Sequence, residues 1–148
     1  MTSPVGGPGP AGYSGTPLPR KLGIKPGHAV AVIGGPAGFA DGLAALSGAD
    51  VTHGLPAAGQ LDVIVTFVRW RVDFEAQLPG LRERMAPACG LWIAWPKRAA
   101  RVPTDMTEHV MREVALPTGL VDNKVCAIDE TWTGMRLVIR RELRPTSS

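Results

Sequence analysis

Two runs decide how this chain folds: LDVIVTFV at Leu61 to Val68 and GLWIAW at Gly90 to Trp95. Both are apolar almost throughout, without the strict in/out alternation of a half-solvated strand, so both read as strands buried on two faces. Between them, Phe74, Leu78, Leu81 and Met85 recur at helical spacing and form one apolar stripe. Strand, helix and strand in that order make the repeating unit of a parallel sheet covered by helices. HAVAVIGG at His28 to Gly35 supplies a further strand of the same kind.

Working outward, a first helix carries Phe39, Leu43 and Leu46, and a short strand follows at Asp50 to Gly54. Pro79 should kink or split the second helix, because it lacks a backbone donor. A third helix is expected from Thr104 or Asp105, with Glu108 completing a capping box and Met106, Val110 and Val114 facing inward. Pro117 and Gly119 stop it. The last strands are read as Lys124 to Ile128 and Met135 to Arg141, joined by a connection short enough for an antiparallel pair, while Asp122-Asn123-Lys124 is expected to be a turn. The fold class is therefore α/β, a three-layer Rossmann-like sandwich with a mostly parallel sheet and a C-terminal antiparallel strand. Strand one should neighbour the Leu61 strand, and that one the Gly90 strand.

With 148 residues, 45% of them hydrophobic, the chain holds one domain. Residues 1–17, rich in Gly and Pro, read as a disordered tail, residues 18–143 as the domain and residues 144–148 as a flexible tail. Leu18, Leu22 and Ile24 would anchor the start, and Lys25-Pro26-Gly27 would turn the chain into the first strand. The net charge of +3, spread over 16 basic and 13 acidic residues without a run of one sign, leaves an acidic partner open and no more, and a nucleic-acid partner is not expected because no basic cluster with aromatics is legible. Arg136, Arg140, Arg141 and Arg144 read as a solvated strand edge. Cys89 and Cys126 have no metal-ligand spacing and read as small buried hydrophobes, so no metal is expected. No leader is legible, and no apolar run reaches the roughly 20 residues that span a bilayer, so the expected location is cytoplasmic, away from the membrane.

The element order resembles the S-adenosylmethionine-dependent methyltransferase fold over roughly Lys25 to Arg141. The segments GYSGTPLPRKLGIKPG, LDVIVTFV, LWIAWPK, VPTD and GLVDNKVCAIDETWTGMRLVIRR are similar to the bacterial domain-of-unknown-function family 3052. The first resemblance implies a glycine loop after strand one that approaches the cofactor's methionine part, preceded by an acid, and a second acid ending strand two for the ribose. Here the loop keeps Gly34, Gly35 and Gly38 but has no acid, and strand two ends in His53-Gly54. About 30 residues separate strand one from LDVIVTFV, where two βα units need nearer twice that. One unit is read as deleted, and no cofactor is expected.

Open α/β sheets bind ligands beyond the C-terminal ends of their strands. Those ends gather Gly34, Gly35, Gly38, Arg69, Lys97, Asp129, Glu130 and Trp132. Lys97 suits an anionic ligand, Asp129 or Glu130 an acid or base, and Trp95 or Trp132 a ring. A surface pair of Lys97 with Glu130 is the plain alternative. The glycines read either as a phosphate cradle at a helix N-terminus or as tight-turn residues. No catalytic constellation is complete, and His28, His53 and His109 stand apart from any second ligand. The expected role is a non-catalytic module that binds a small ligand or a protein partner, with homo-oligomerisation open. The alternative is an enzyme, a transferase or phosphate-ligand enzyme, using the same sheet edge.

Overall fold

Val30, Val32, Val63 and Val65 point to one side of their strands, and Ala31, Ile64, Leu91 and Ile93 to the other, so each strand feeds two cores at a period of two. In the computed structural model, which describes residues 17–144, β1 (Ala29–Ile33), β2 (Asp50–His53), β3 (Leu61–Phe67), β4 (Met85–Pro96), β5 (Leu120–Ala127) and β6 (Trp132–Ile139) form one sheet in the order β2-β1-β3-β4-β6-β5. The first four strands run parallel, while β6 is antiparallel to both neighbours. This is the mixed, Rossmann-like α/β architecture read from the sequence. The tail expected at residues 1–17 falls, but for Pro17, outside the described residues, as does that at 144–148 beyond Arg144.

Helices α1 (Leu18–Leu22) and α2 (Phe39–Ser47) cover one face, and α3 (Arg71–Arg84) and α4 (Glu108–Ala115) the other. Trp92, fully buried beneath α1, donates its indole N–H to the Leu22 carbonyl at 3.0 Å. Burial satisfies both the ring and its one donor. No helix among the described residues is long and apolar enough to cross a membrane.

Several local expectations are corrected. Pro79 does not split α3 in two; it lies inside a single fourteen-residue helix on the exposed side, where water can serve the carbonyl left without a donor. Leu46 is 72% exposed, and α2 buries Ala40 and Leu43 instead. Helix α4 starts later than expected, because Thr107 rather than Asp105 caps it, accepting from the Val110 amide at 3.1 Å. Asp105 is used elsewhere: its Oδ1 accepts the Arg71 amide at 2.7 Å, capping α3 from across the fold. Asp122-Asn123-Lys124 is not a turn but part of β5, with the register slipping between Asp122 and Lys124.

Arg71 joins the two helices of that face, with Nε 2.9 Å from Glu75 and Nη1 2.6 Å from Glu113. The hydrogen bond from Arg71 holds the Glu113 carboxyl below its usual range. A lowered folded-state value stabilises the fold above the ordinary carboxylate range, and that contribution is lost as pH falls through the lowered value. Glu113→Gln should therefore flatten the acid limb of the stability profile, read as urea midpoints from neutral to strongly acid pH. Parallel profiles for the two proteins would contradict the assignment.

Candidate functional site

The chain leaves β1 for β2 on one side of the sheet and returns to β3 on the other, so the strand order reverses between β1 and β3. Such a reversal opens a crevice beyond the strand ends. Gly34 and Gly35 turn the chain out of β1 with φ of 69° and 97°, a region that disfavours any side chain. Gly35 has a second reason to be glycine: a Cβ there would stand 2.7 Å from the Phe67 ring at the end of β3. Phe67 in turn meets Phe39 and Trp132 edge to face, with centroids 5.0 and 5.1 Å away. Three aromatic rings thus pack in series beyond the strand ends, each edge-to-face pair adding about 0.5–1.5 kcal/mol.

Two clefts open on this edge. The first, of about 460 Å³, is lined by Gly35, Phe67, Arg69, Trp70 and Trp132, with Asp73 and Gln77 of α3 on its far wall. The second, of about 760 Å³, lies over Trp95 and Met106 and is lined by Lys97, Arg98, Arg101, Thr104 and Thr107. A wall between them is pinned by Arg69, whose Nε donates to the Pro103 carbonyl at 3.0 Å while its own carbonyl accepts the Thr104 hydroxyl. The Arg69 guanidinium also sits 5.4 Å from the centre of the Trp70 ring.

The structure divides the residues read from the sequence. Gly35, Arg69 and Trp132 line the first cleft, and Lys97 lines the second. Gly34 shapes the turn, and Gly38, with φ 81°, is the N-cap of α2. Asp129 is occupied locally, its Oδ1 accepting the amides of Thr131 and Trp132 at 2.8 Å each, so it closes the β5–β6 turn. Glu130 is exposed at the tip of that turn and lines neither cleft.

Trp70 and Arg98, beside Arg69 and Lys97 at strand ends in the sequence, line the clefts as well, whereas sequence reasoning missed Phe67, Arg101, Asp73 and Gln77. Phe67 had a usable signal, as the last residue of a buried strand facing a double glycine. Gln77 had none, since only the fold brings the fully buried Thr66 hydroxyl to its Oε1 at 2.8 Å. Arg101 holds a φ of 57°, the one left-handed non-glycine residue among those described. Among the described residues Lys97, Arg98 and Arg101 form no ion pair, and Glu108 at the cleft rim is paired with Arg112 at 3.2 Å. All 13 acidic residues of the chain lie in the described part, so no acidic side chain pairs with these three cations. Neither cysteine suits nucleophilic work: burial pushes the Cys89 thiol up to about 12 and raises that of Cys126. Among the described residues no group of acidic, His and Cys side chains could hold a metal.

The cofactor implied by the methyltransferase resemblance can be tested against this geometry. At the glycine loop the Phe67 ring fills the Cβ side of Gly35, leaving no room there for a ligand group. At the end of β2 stands His53, 3.4 Å from Asp41 of α2, in place of a ribose-binding carboxylate. Beyond β2 no strand pairs among the described residues, so that wall of the site is missing. The residues present do not fit S-adenosylmethionine. Calorimetric titration with it should give no saturable heat, whereas a low-micromolar dissociation constant would contradict this reading.

No family model and no curated protein sequence matches the chain. Solved structures do match. Magnesium protoporphyrin IX methyltransferase from Synechocystis, determined with bound S-adenosylmethionine, aligns at TM-score 0.62 and 13% identity over 82% of this chain and 74% of its own. A SAM-dependent methyltransferase from Aquifex aeolicus aligns at 0.61 and 14%, over 81% and 87% respectively. A TehB-like SAM-dependent methyltransferase from Corynebacterium glutamicum aligns at 0.57 and 14%, over 83% and 85%. At such identities the likeness is one of fold, and the chain has the Rossmann-like fold of SAM-dependent methyltransferases.

Proposed function

We propose that this chain binds a small anionic ligand with a flat apolar part at the C-terminal edge of its sheet. The observation that carries the reading is the pair of adjoining clefts, one lined by Phe67 and Trp132 and the other edged by Lys97, Arg98 and Arg101 without a paired acid. Rings stack on the first surface, and charge-assisted hydrogen bonds form on the second. Arg69 lines the first cleft and is bonded to Pro103 in the wall of the second.

Two readings share this site. The structural neighbours favour the enzyme, a transferase, over the non-catalytic module, because their common fold serves group transfer in them. The Phe67 ring against Gly35 favours a ligand other than the fold's usual cofactor. Resemblance to family 3052 adds no activity to either. Non-denaturing mass spectrometry of the purified protein, followed by identification of any bound mass, tests the reading. Release of an acidic aromatic compound supports it. Incubating that compound with the protein then separates the two: chemical change marks the enzyme, and recovery unchanged marks the module. A bound cation or a neutral lipid would contradict the proposed ligand class.

A further inference from the structure

The face of the sheet under α1 carries a second concentration of positive charge, sharing no lining residue with the clefts above. Pairing in the sheet puts Lys124 of β5 beside Arg136 of β6. The end of α1 brings Arg20 and Lys21 to the same place, around a hollow of about 200 Å³. Arg136 forms its floor. Its guanidinium lies across β4 at Gly90, where a Cβ would stand 2.6 Å from Nε, so the group is laid on the sheet and half-buried.

A guanidinium carries five N–H donors, and burying a charge is costly unless an acceptor or counter-charge meets it. Among the described residues Arg136 has neither. Burial weakens its hold on the proton, and its neighbour Arg144, of the same sign, does so further. Four carbonyls of this segment already accept a bond from another donor. The Pro19 carbonyl accepts from the Ile24 amide at 2.8 Å and that of Arg20 from the Gly23 amide at 3.1 Å. The Lys21 carbonyl accepts from Lys124 Nζ at 3.3 Å, and that of Leu22 from the Trp92 indole. None of the 13 acidic residues lines the hollow, and residues 1–16 contain none.

We infer that this hollow is a binding site for a phosphate group, held by Arg136 and Lys124 with Arg20 and Lys21 at the rim. The group's oxygens supply the acceptors that the guanidinium lacks, and the fork of an arginine matches two of them at once. The volume suits one such group and not a nucleotide. The phosphate is either the free ion or the head of a phosphomonoester.

Amide NMR on the whole chain tests this, titrating inorganic phosphate at constant ionic strength with chloride as the balancing ion. Saturable shifts at Gly23, Asn123, Lys124 and Arg136 are expected, and Arg136→Met with Lys124→Met should raise the dissociation constant at least about tenfold, as the removal of charge-assisted bonds implies. Where that double variant does not fold, Lys124→Gln alone, at an exposed strand position, takes its place with the same direction of effect. Ribose 5-phosphate titrated in parallel distinguishes the sources: tighter binding than inorganic phosphate assigns the hollow to a monoester, and equal or weaker binding assigns it to the free ion. Shifts that grow linearly without saturating, that chloride reproduces, or that survive the substitutions would overturn the inference.

Discussion

Trp92→Ala should cost about 3–5 kcal/mol, the range for removing a fully buried large ring. The residue is 0% exposed on β4 and packs against the face covered by α1 and α2. Two effects combine: the ring leaves a cavity at the centre of that core, and the Leu22 carbonyl is deprived of the indole donor that ties α1 to the sheet. Trp92→Phe separates them, since it keeps most of the apolar volume and removes only the donor; about 1–3 kcal/mol is expected for it. Urea unfolding of the two variants makes the comparison. A loss below about 1 kcal/mol for the alanine variant would mean that the core collapses around the gap and that α1 is not held as described.

The second large effect concerns binding rather than stability. Replacing Lys97 and Arg98 by Ala and Arg101 by Gly removes every unpaired cation of the larger cleft, and each charge-assisted hydrogen bond to the ligand is worth roughly 1.5–3 kcal/mol. Affinity for an anionic ligand should therefore fall by about a hundredfold or more. Stability should change by less than about 1 kcal/mol, because none of the three side chains forms an ion pair or belongs to either core. Arg101→Gly also frees a position whose φ of 57° suits glycine. Calorimetric titration and urea midpoints on the same samples give both numbers. Unfolding of the variant, or unchanged affinity, would show that these residues serve the fold or the solvent instead.

The sheet was legible because its signal is repeated along the chain. LDVIVTFV, GLWIAW and HAVAVIGG are each too apolar to lie anywhere but between two layers, and the intervening helical stripes leave parallel pairing as the economical connection. What the sequence concealed was long-range. Asp105 caps α3 rather than its own helix, a choice that depends on two loops meeting 34 positions apart. Thr107 then takes the local cap, moving the start of α4. Pro79 is tolerated because its place on α3 faces water, which local pattern alone does not reveal.

The candidate site follows the same division. Gly35, Arg69, Lys97 and Trp132 could be named because each stands at the end of a strand whose direction was readable. Asp129 has a local use that the sequence reading did not weigh, since an aspartate three residues before a hairpin strand is suited to accept the backbone amides of its own turn. Phe67 matters most among the residues not foreseen. It reads as one more core side chain, yet its ring fills the Cβ side of Gly35 and decides what cannot sit there.

The most direct test of a ligand site at this edge is amide and indole NMR of the protein titrated with aromatic carboxylates and aromatic phosphates. Shifts are expected at Gly35, Arg69 and Lys97 and at the indole signals of Trp70 and Trp132, saturating together with one dissociation constant. Saturable shifts confined to other parts of the molecule, with these signals unmoved, would contradict the account.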